Sequence, residues 1–561
     1  MVYKFCPECG VELKGAYKFC PECGFKLPDN ASQQIMLEKS AVTAESERRD
    51  KAIEQYKEDK NLDEAFPVLL ELAEKGDTEC QRCVAVCYDF AYKDIQDVNK
   101  AVYWYNKAVD GGDAVAMNNL GCRYRDGEGV KQDYEKALSL FRKSAEQDYK
   151  FALYNLGQAY YYGEGVKRDD GIAVDYFKRA AEKEVSGAQD LLGDCYCYGR
   201  GVPVDFKLAA HWYEKAAEQG NANSQCSLGI CYIRGEGVEK SAQKAFEWYK
   251  KAAEKGHDEA QYRLAMCYHK GNGVACDMKQ AAYWYEQSAE QDNVAAQYNI
   301  GLCYGRGEGV ARNMNKAIYW WQKAAEQGHR DAQHNLGYTY KTGMGGVPVD
   351  FKKAVYWYTK AAEQGMPQSQ YNLGYCYYRG EGVPQDKKTA VQWWLKAAEN
   401  GDADAQHNIA VKYKDGDGLP QDIAKSAYWY EKAAQGGIPL AQLATGVNYD
   451  SGRGVPKDHA KALYWYEKAA AQGLSMAQYN LGCCYRGGIG VKKDADKAVE
   501  LFTKAAEQGL IYAQSALGQW YMLGDGYHID LRKAAYWYGK AAAQGDKNAE
   551  KALKQLRKMG Y

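Results

Sequence analysis

Net charge is the first thing this chain lacks: 73 Lys and Arg against 74 Asp and Glu leave a formal charge of -1. That balance excludes the broad electrostatic footprint of a general nucleic-acid or anionic-membrane binder. Long apolar runs are missing too, and none approaches the ~18 residues that a membrane-spanning helix needs. The start, Met1-Val2-Tyr3-Lys4-Phe5-Cys6, has no basic segment followed by an apolar core, so the sequence predicts no export signal and a cytoplasmic address. Catalytic signatures are equally scarce. The 8 His form no His-Glu-x-x-His pattern, no Gly-x-Ser-x-Gly elbow occurs, and the Gly-Glu-Gly-Val segments lack the Lys-Ser/Thr of a phosphate loop. Carboxylates are numerous but recur at a fixed period, which marks them as helix caps and solvated faces. No enzymatic activity is expected.

What is present is apolar surface and cysteine. Forty-six per cent apolar residues, with 49 Tyr, 13 Trp and 12 Phe, suffice for a packed interior. The 18 Cys, in a long chain without an export signal, point to metal ligands or buried thiols rather than disulfides. Cys6 and Cys9 form one Cys-Pro-Glu-Cys-Gly turn, and Cys20 and Cys23 repeat it. Four thiolates converging on a tetrahedral ion need two such knuckles, with Gly10 and Gly24 turning the backbone. So short a segment has no core, and metal binding would supply much of its folding free energy. The repeated Phe-Cys-Pro-Glu-Cys-Gly, at Phe5 to Gly10 and Phe19 to Gly24, resembles the short zinc ribbons at the start of many bacterial and archaeal proteins. The knuckles are also similar to those of rubredoxin, but the chain between them is much shorter. One structural Zn2+ is therefore expected in residues 1–27, with no open coordination position for catalysis.

Residues 28–44 are polar without a sustained apolar period and read as a linker or a poorly ordered helix start. Residues 45–76 read as a divergent helix pair that caps the array, Leu69, Leu72 and Ala73 sharing one face. Aligned on a small residue with an aromatic three places later, the chain then repeats at Ala85, Gly121, Gly157, Gly193, Gly229, Ala265, Gly301, Gly337, Gly374, Ala410, Gly446, Gly482 and Gly518. The step is 36 residues except between Gly337 and Gly374, where it is 37, the extra residue falling in Gly343-Met344-Gly345-Gly346-Val347. Thirteen units span 77–545, and 546–561 remain for a C-terminal capping helix.

Within one unit, Ala296, Ile300, Gly301 and Tyr304 fall in a ~140° arc at 100° per residue, an apolar stripe seeking a neighbour. Gly301 permits close approach. The loop Gly307-Glu308-Gly309-Val310 ends the first helix, and Asp133, Asp169, Asp205, Asp386 and Asp458 are placed to cap second helices. The second helix buries a Trp-Tyr pair and an Ala-Ala pair, and stops at Gly328 or its equivalents. No unit buries both stripes alone, so stability has to come from stacking. The Leu-Gly before Tyr, the Gly-x-Gly-Val loop and the Lys-Ala, Trp-Tyr, Lys-Ala-Ala-Glu-Gln-Gly series resemble the Sel1-like repeats, relatives of the tetratricopeptide repeats. That resemblance implies an all-α, right-handed superhelical solenoid of about 13 helix-turn-helix repeats acting as an adaptor or scaffold.

Cys87, Cys195, Cys231, Cys267, Cys303, Cys376 and Cys484 recur two places after the anchor, where Ala159 and Thr339 replace them, and read as small packing residues. Some Sel1-like proteins carry one disulfide per repeat, but here the second cysteine of each pair is missing. Cys80, Cys83 and Cys87 share a helix face that could line a metal, though no fourth ligand is evident. Offsets three before, one after and four after the anchor plot opposite the core stripe. In the resembling folds first helices line the concave side, and matching offsets contact bound peptides. Three before the anchor stand Tyr154, Tyr262, Tyr298, His334, Tyr371, His407 and Tyr479, with Asn155, Asn299, Asn335, Asn372, Asn408 and Asn480 beside them. Rings supply contact area at low entropic cost and amides bond an extended backbone, so a protein or peptide partner in this groove is expected. The alternative is that the Tyr pack between helices and the Asn tie first helices together. Two other functional readings stand: docking to nucleic acid through the ribbon, and an enzyme activity of the kind proposed for some exported Sel1-like proteins.

Overall fold

The computed structural model describes residues 30–58, 61–90, 96–524 and 528–561, with side chains from residue 42 onward. Cys6, Cys9, Cys20 and Cys23, and with them the expected zinc ribbon, lie outside the described residues. Among the described residues the chain is all-helical, a succession of short antiparallel helix pairs with no strand. Two compact units divide it, residues 1–275 and 276–561. The segment expected as a linker is helical from its third residue: one helix runs Asn30–Lys57 across the 44/45 boundary. Its polar sequence carries no amphipathic period, which is why the helix did not show in the pattern.

From Val98 onward the repeat helices are thirteen residues long because both ends are chemically specified. Asp133, Asp169, Asp205, Asp386 and Asp458 each accept a backbone N–H from the first turn of a second helix, a cap whose loss costs ~1 kcal/mol. First helices end on a glycine in the left-handed region, Gly307 at φ 78°. Two residues on, Gly309 sits where any Cβ would lie 1.8 Å from the Met278 carbonyl oxygen, so the loop can pass over the start of the preceding second helix only without a side chain.

The anchor residue sets how closely the two helices of a unit pack. A Cβ on Gly301 would stand 2.4 Å from Trp321 Cδ1, and one on Gly374 2.6 Å from Trp394 Cδ1. The indole twenty places downstream packs directly against this bare backbone. Ala296, Ile300 and Tyr304 are buried beside it, as the stripe predicted. The second helices bury Trp320 with Trp321, Trp357 with Tyr358 and Trp465 with Tyr466, the first two along with the pairs Ala324-Ala325 and Ala361-Ala362. Each such ring contributes ~1.5–3 kcal/mol when removed from water. The seven cysteines of the repeated position are buried free thiols. Burial pushes Cys195 and Cys231 up to about 12, and Cys303 and Cys376 up to about 11. They fill space and stay protonated. Among the described residues no group of three His, Cys, Asp or Glu is placed to hold a metal, Cys80, Cys83 and Cys87 included.

A second device joins repeat to repeat. Four places before the anchor a buried glutamine donates Nε2 to the end of the preceding second helix: Gln333 to Ala325 O at 2.9 Å, Gln370 to Ala362 O at 3.0 Å, Gln406 to Ala398 O at 3.0 Å. Its Oε1 accepts from the end of its own repeat's second helix, Gln333 from Gln364 at 2.8 Å and Gln370 from Asn400 at 3.0 Å. In the first unit Gln189 does the same with Ala181 and Gln219. Both halves of the buried amides of Gln189, Gln333 and Gln370 are thereby satisfied, which a buried polar group requires. The N-terminal end is sealed differently. Ala52 and Ile53 of the helix Asn30–Lys57 join Leu62, Leu69, Leu72 and Ala73 in the core, while Arg49 pairs with Asp77 at 2.7 Å and Glu79 at 2.9 Å. Lys547–Lys558 closes the C-terminal end through Ala549 and Leu556.

Candidate partner-binding surface

First helices turn their anchor side to the aromatic rings of the second helices. At the border of that side the second unit aligns Tyr298, His334, Tyr371, His407 and Tyr479 in register, all half-buried. Each ring leans on an aromatic of its own second helix or of the next repeat. The Tyr298 ring stacks on His329 at 4.5 Å, His334 faces Tyr358 at 5.8 Å, and His407 meets Tyr430 edge-on at 5.6 Å. Hydrogen bonds of the row cross repeats: His334 Nδ1 lies 2.8 Å from Ser369 Oγ, and Lys341 Nζ donates to Asn372 Oδ1 at 3.2 Å. Two amides turn inward to their own helix, Asn299 to Ala295 O at 2.8 Å and Asn372 to Gln368 O at 2.9 Å. Burial pulls His334 and His407 below the ordinary imidazole value, so both stay neutral near pH 7.

In the first unit the same places hold half-buried Tyr154 and Tyr262 and buried Asn155. Tyr154 accepts from Gln158 at 2.9 Å, and Asn155 donates to Asn118 Oδ1 at 2.8 Å. The row thus ties successive first helices, through Asn155 to Asn118 and His334 to Ser369, and its rings stay half-buried.

Alongside it runs a stripe whose residues the sequence reading did not single out. One place after the anchor, six successive repeats of the second unit carry Leu302, Tyr338, Tyr375, Val411, Val447 and Cys483, all in contact with solvent. Tyr338 is 43% exposed and Val447 41%. Lys341 Nζ stands 4.5 Å over the Tyr375 ring, and Arg379 Nε donates to its hydroxyl at 3.2 Å. The signal was available, since this offset plots opposite the core stripe and is apolar in consecutive repeats. The second helices have exposed rings of their own, Tyr319, Tyr356 and Tyr428, each edge-on to the tryptophan that follows it.

One helix pair, repeated at a fixed step and locked to its neighbours by the same bonds, defines a helix-pair repeat protein of the solenoid class. The chain belongs to the Sel1 repeat family, which matches it thirteen times without a gap from residue 84 to residue 546, the longer unit falling at 330–366. Among solved structures it is similar to a protective antigen of uropathogenic Escherichia coli displaying this fold, with 32% identity, 88% of this chain and 97% of that one covered, and a TM-score of 0.66. It is also similar to a Sel1 repeat protein of Oxalobacter formigenes, with 37% identity, 55% and 89% of the two chains covered, and a TM-score of 0.46. A comparison with curated proteins gave no match. No helix among the described residues is long and apolar enough to cross a membrane.

Proposed function

We propose that this chain is a non-catalytic scaffold that holds an extended segment of a partner protein along its first helices. The observation that carries this is the stripe of Leu302, Tyr338, Tyr375, Val411, Val447 and Cys483, apolar or aromatic in six consecutive repeats and in contact with solvent in each. A contiguous apolar band of this kind is what protein interfaces use. The row of Tyr298, His334, Tyr371 and His407 borders it, giving a peptide ring edges on one side and apolar side chains on the other. A partner captured from host lysate on the intact chain provides the assay. Changing Tyr338 and Tyr375 together to Ala is expected to cost ~2 kcal/mol or more in affinity at unchanged melting temperature, whereas changing Tyr319 and Tyr356 together should change neither. Equal loss from both pairs would overturn the assignment of the face.

The N-terminal segment is proposed to be a docking module built on one Zn2+ held by Cys6, Cys9, Cys20 and Cys23. The paired Cys-Pro-Glu-Cys-Gly turns support this. Elemental analysis of protein purified in reductant without chelator should return about one zinc per chain. Iron in its place, or no metal, would refute it.

A further inference from the structure

The one repeat with an inserted residue also holds a cavity. Between the first helices Val294–Arg306 and Arg330–Thr342 lies a space of about 260 Å³ walled by Tyr298, Gly305, Met314, Trp321, Tyr338 and Met344. Two features make it. Gly305 contributes no side chain where the next two repeats carry Lys341 and Tyr378, and a Cβ placed there would come within 3.3 Å of the Trp321 ring edge. The extra residue creates a 3-10 turn, Met344–Gly346, and Met344 from that turn forms part of the wall. Tyr338 and Met344 are 43% and 39% exposed, so the cavity opens to solvent, on the same face as the proposed peptide stripe.

Its chemistry selects an occupant. A ~150 Å³ apolar cavity holds a benzene ring, so this one has room for an aromatic ring with its methylene. Two thioethers and three aromatic side chains in the wall favour sulfur–aromatic and edge-on contacts over aliphatic ones. The Trp321 ring is held by packing alone, its buried Nε1 having no acceptor, which leaves this wall able to tilt toward an incoming ring. Arg306 also lines the cavity, is exposed, and lies 3.8 Å from its nearest carboxylate, Glu308. It can still draw a second carboxylate.

We infer that this cavity anchors the partner segment by taking an aromatic side chain that has an acidic residue beside it. The inference rests on the scaffold reading and names the residue type that reading leaves open. To test it, a random linear peptide library is panned against the intact chain, and the recovered peptides are synthesised with a fluorophore. They are expected to share an aromatic residue next to Asp or Glu. Gly305→Met, which fills the cavity with the residue that Met522 supplies at the same place in the last repeat, should weaken binding about tenfold at unchanged melting temperature. Met344→Ala, on the exposed turn, should weaken it severalfold. Arg306→Gln should weaken only those peptides that carry the acid. Peptides lacking an aromatic residue, or binding all three variants as tightly as the natural chain, would overturn the anchor. If those same peptides were lost on Tyr375→Ala, the scaffold reading would survive. Recovery of no peptide on any face would remove both.

Discussion

Trp321 and Trp394 occupy the same place in two repeats of the same unit, each lying on a bare anchor glycine, and yet they are held differently. Trp394 donates Nε1 to the Tyr371 carbonyl at 3.1 Å and is covered by the Tyr378 ring at 5.3 Å. Trp321 has no acceptor, and Gly305 stands where Tyr378 would be. The first is a closed repeat in which every group is satisfied. The second leaves a donor unpaired, at ~1–3 kcal/mol, and one wall of its ring uncovered. In a solenoid each repeat leans only on its neighbours, so the array tolerates one locally weakened unit without losing its register. A binding site can therefore be placed in a single repeat while the rest act as frame.

The largest expected effect tests what the two repeats have in common. Gly301→Leu and Gly374→Leu should each destabilise the second unit by more than ~3 kcal/mol, because a Cβ alone already meets the indole at 2.4 and 2.6 Å. Denaturant unfolding of the intact chain reads this directly. If Gly301→Leu were tolerated and Gly374→Leu were not, the ring at 321 would be looser than its packing implies.

A smaller effect sharpens the difference. Trp394→Phe gives up a hydrogen bond and Trp321→Phe removes a donor that has none, so the first should cost ~1 kcal/mol more than the second. Equal losses in melting experiments would mean that Trp321 Nε1 is satisfied in solution and that the contrast between the repeats is unfounded.

The helix pair was legible in the sequence because its determinants are local: the anchor, the left-handed glycine and the capping aspartate all act within a few residues of one another. The buried glutamine also left a sign, since it falls 40° from the anchor and so lies on the core stripe, where a polar residue demands partners. One partner is the end of the preceding repeat's second helix and the other lies 30 or 31 residues on at the end of its own, so a pattern taken one helix at a time does not contain them. The same holds for the Tyr and His row, whose contacts from Tyr298 to His329 and from His334 to Ser369 cross from one repeat to the next. The insertion at Met344 showed only as an added loop residue, because its effect depends on Gly305 and Trp321 in the repeat before.

The smallest expected effect is on pH. Burial lowers the pKa of His329, His334 and His407 below 6.5, while the nearby Asp331 and Asp404 oppose the shift and Arg330 and Lys414 reinforce it at His329 and His407. The unfolded chain then binds protons that the folded chain resists, so the histidine contribution to stability is complete above 6.5 and is lost as pH falls through the lower folded values. Melting temperature should drop between pH 6.5 and 5, and replacing His334 and His407 together with Tyr should flatten that drop. An unchanged profile would place both rings in water.

Hydroxyl-radical footprinting of the intact chain, alone and saturated with its captured partner, tests the docking face most directly. Tyr338 and Tyr375 on the first helices should lose reactivity on binding, while the more exposed rings of Tyr319, Tyr356 and Tyr428 on the second helices keep theirs. Protection of the second-helix tyrosines with Tyr338 and Tyr375 unchanged would contradict the account.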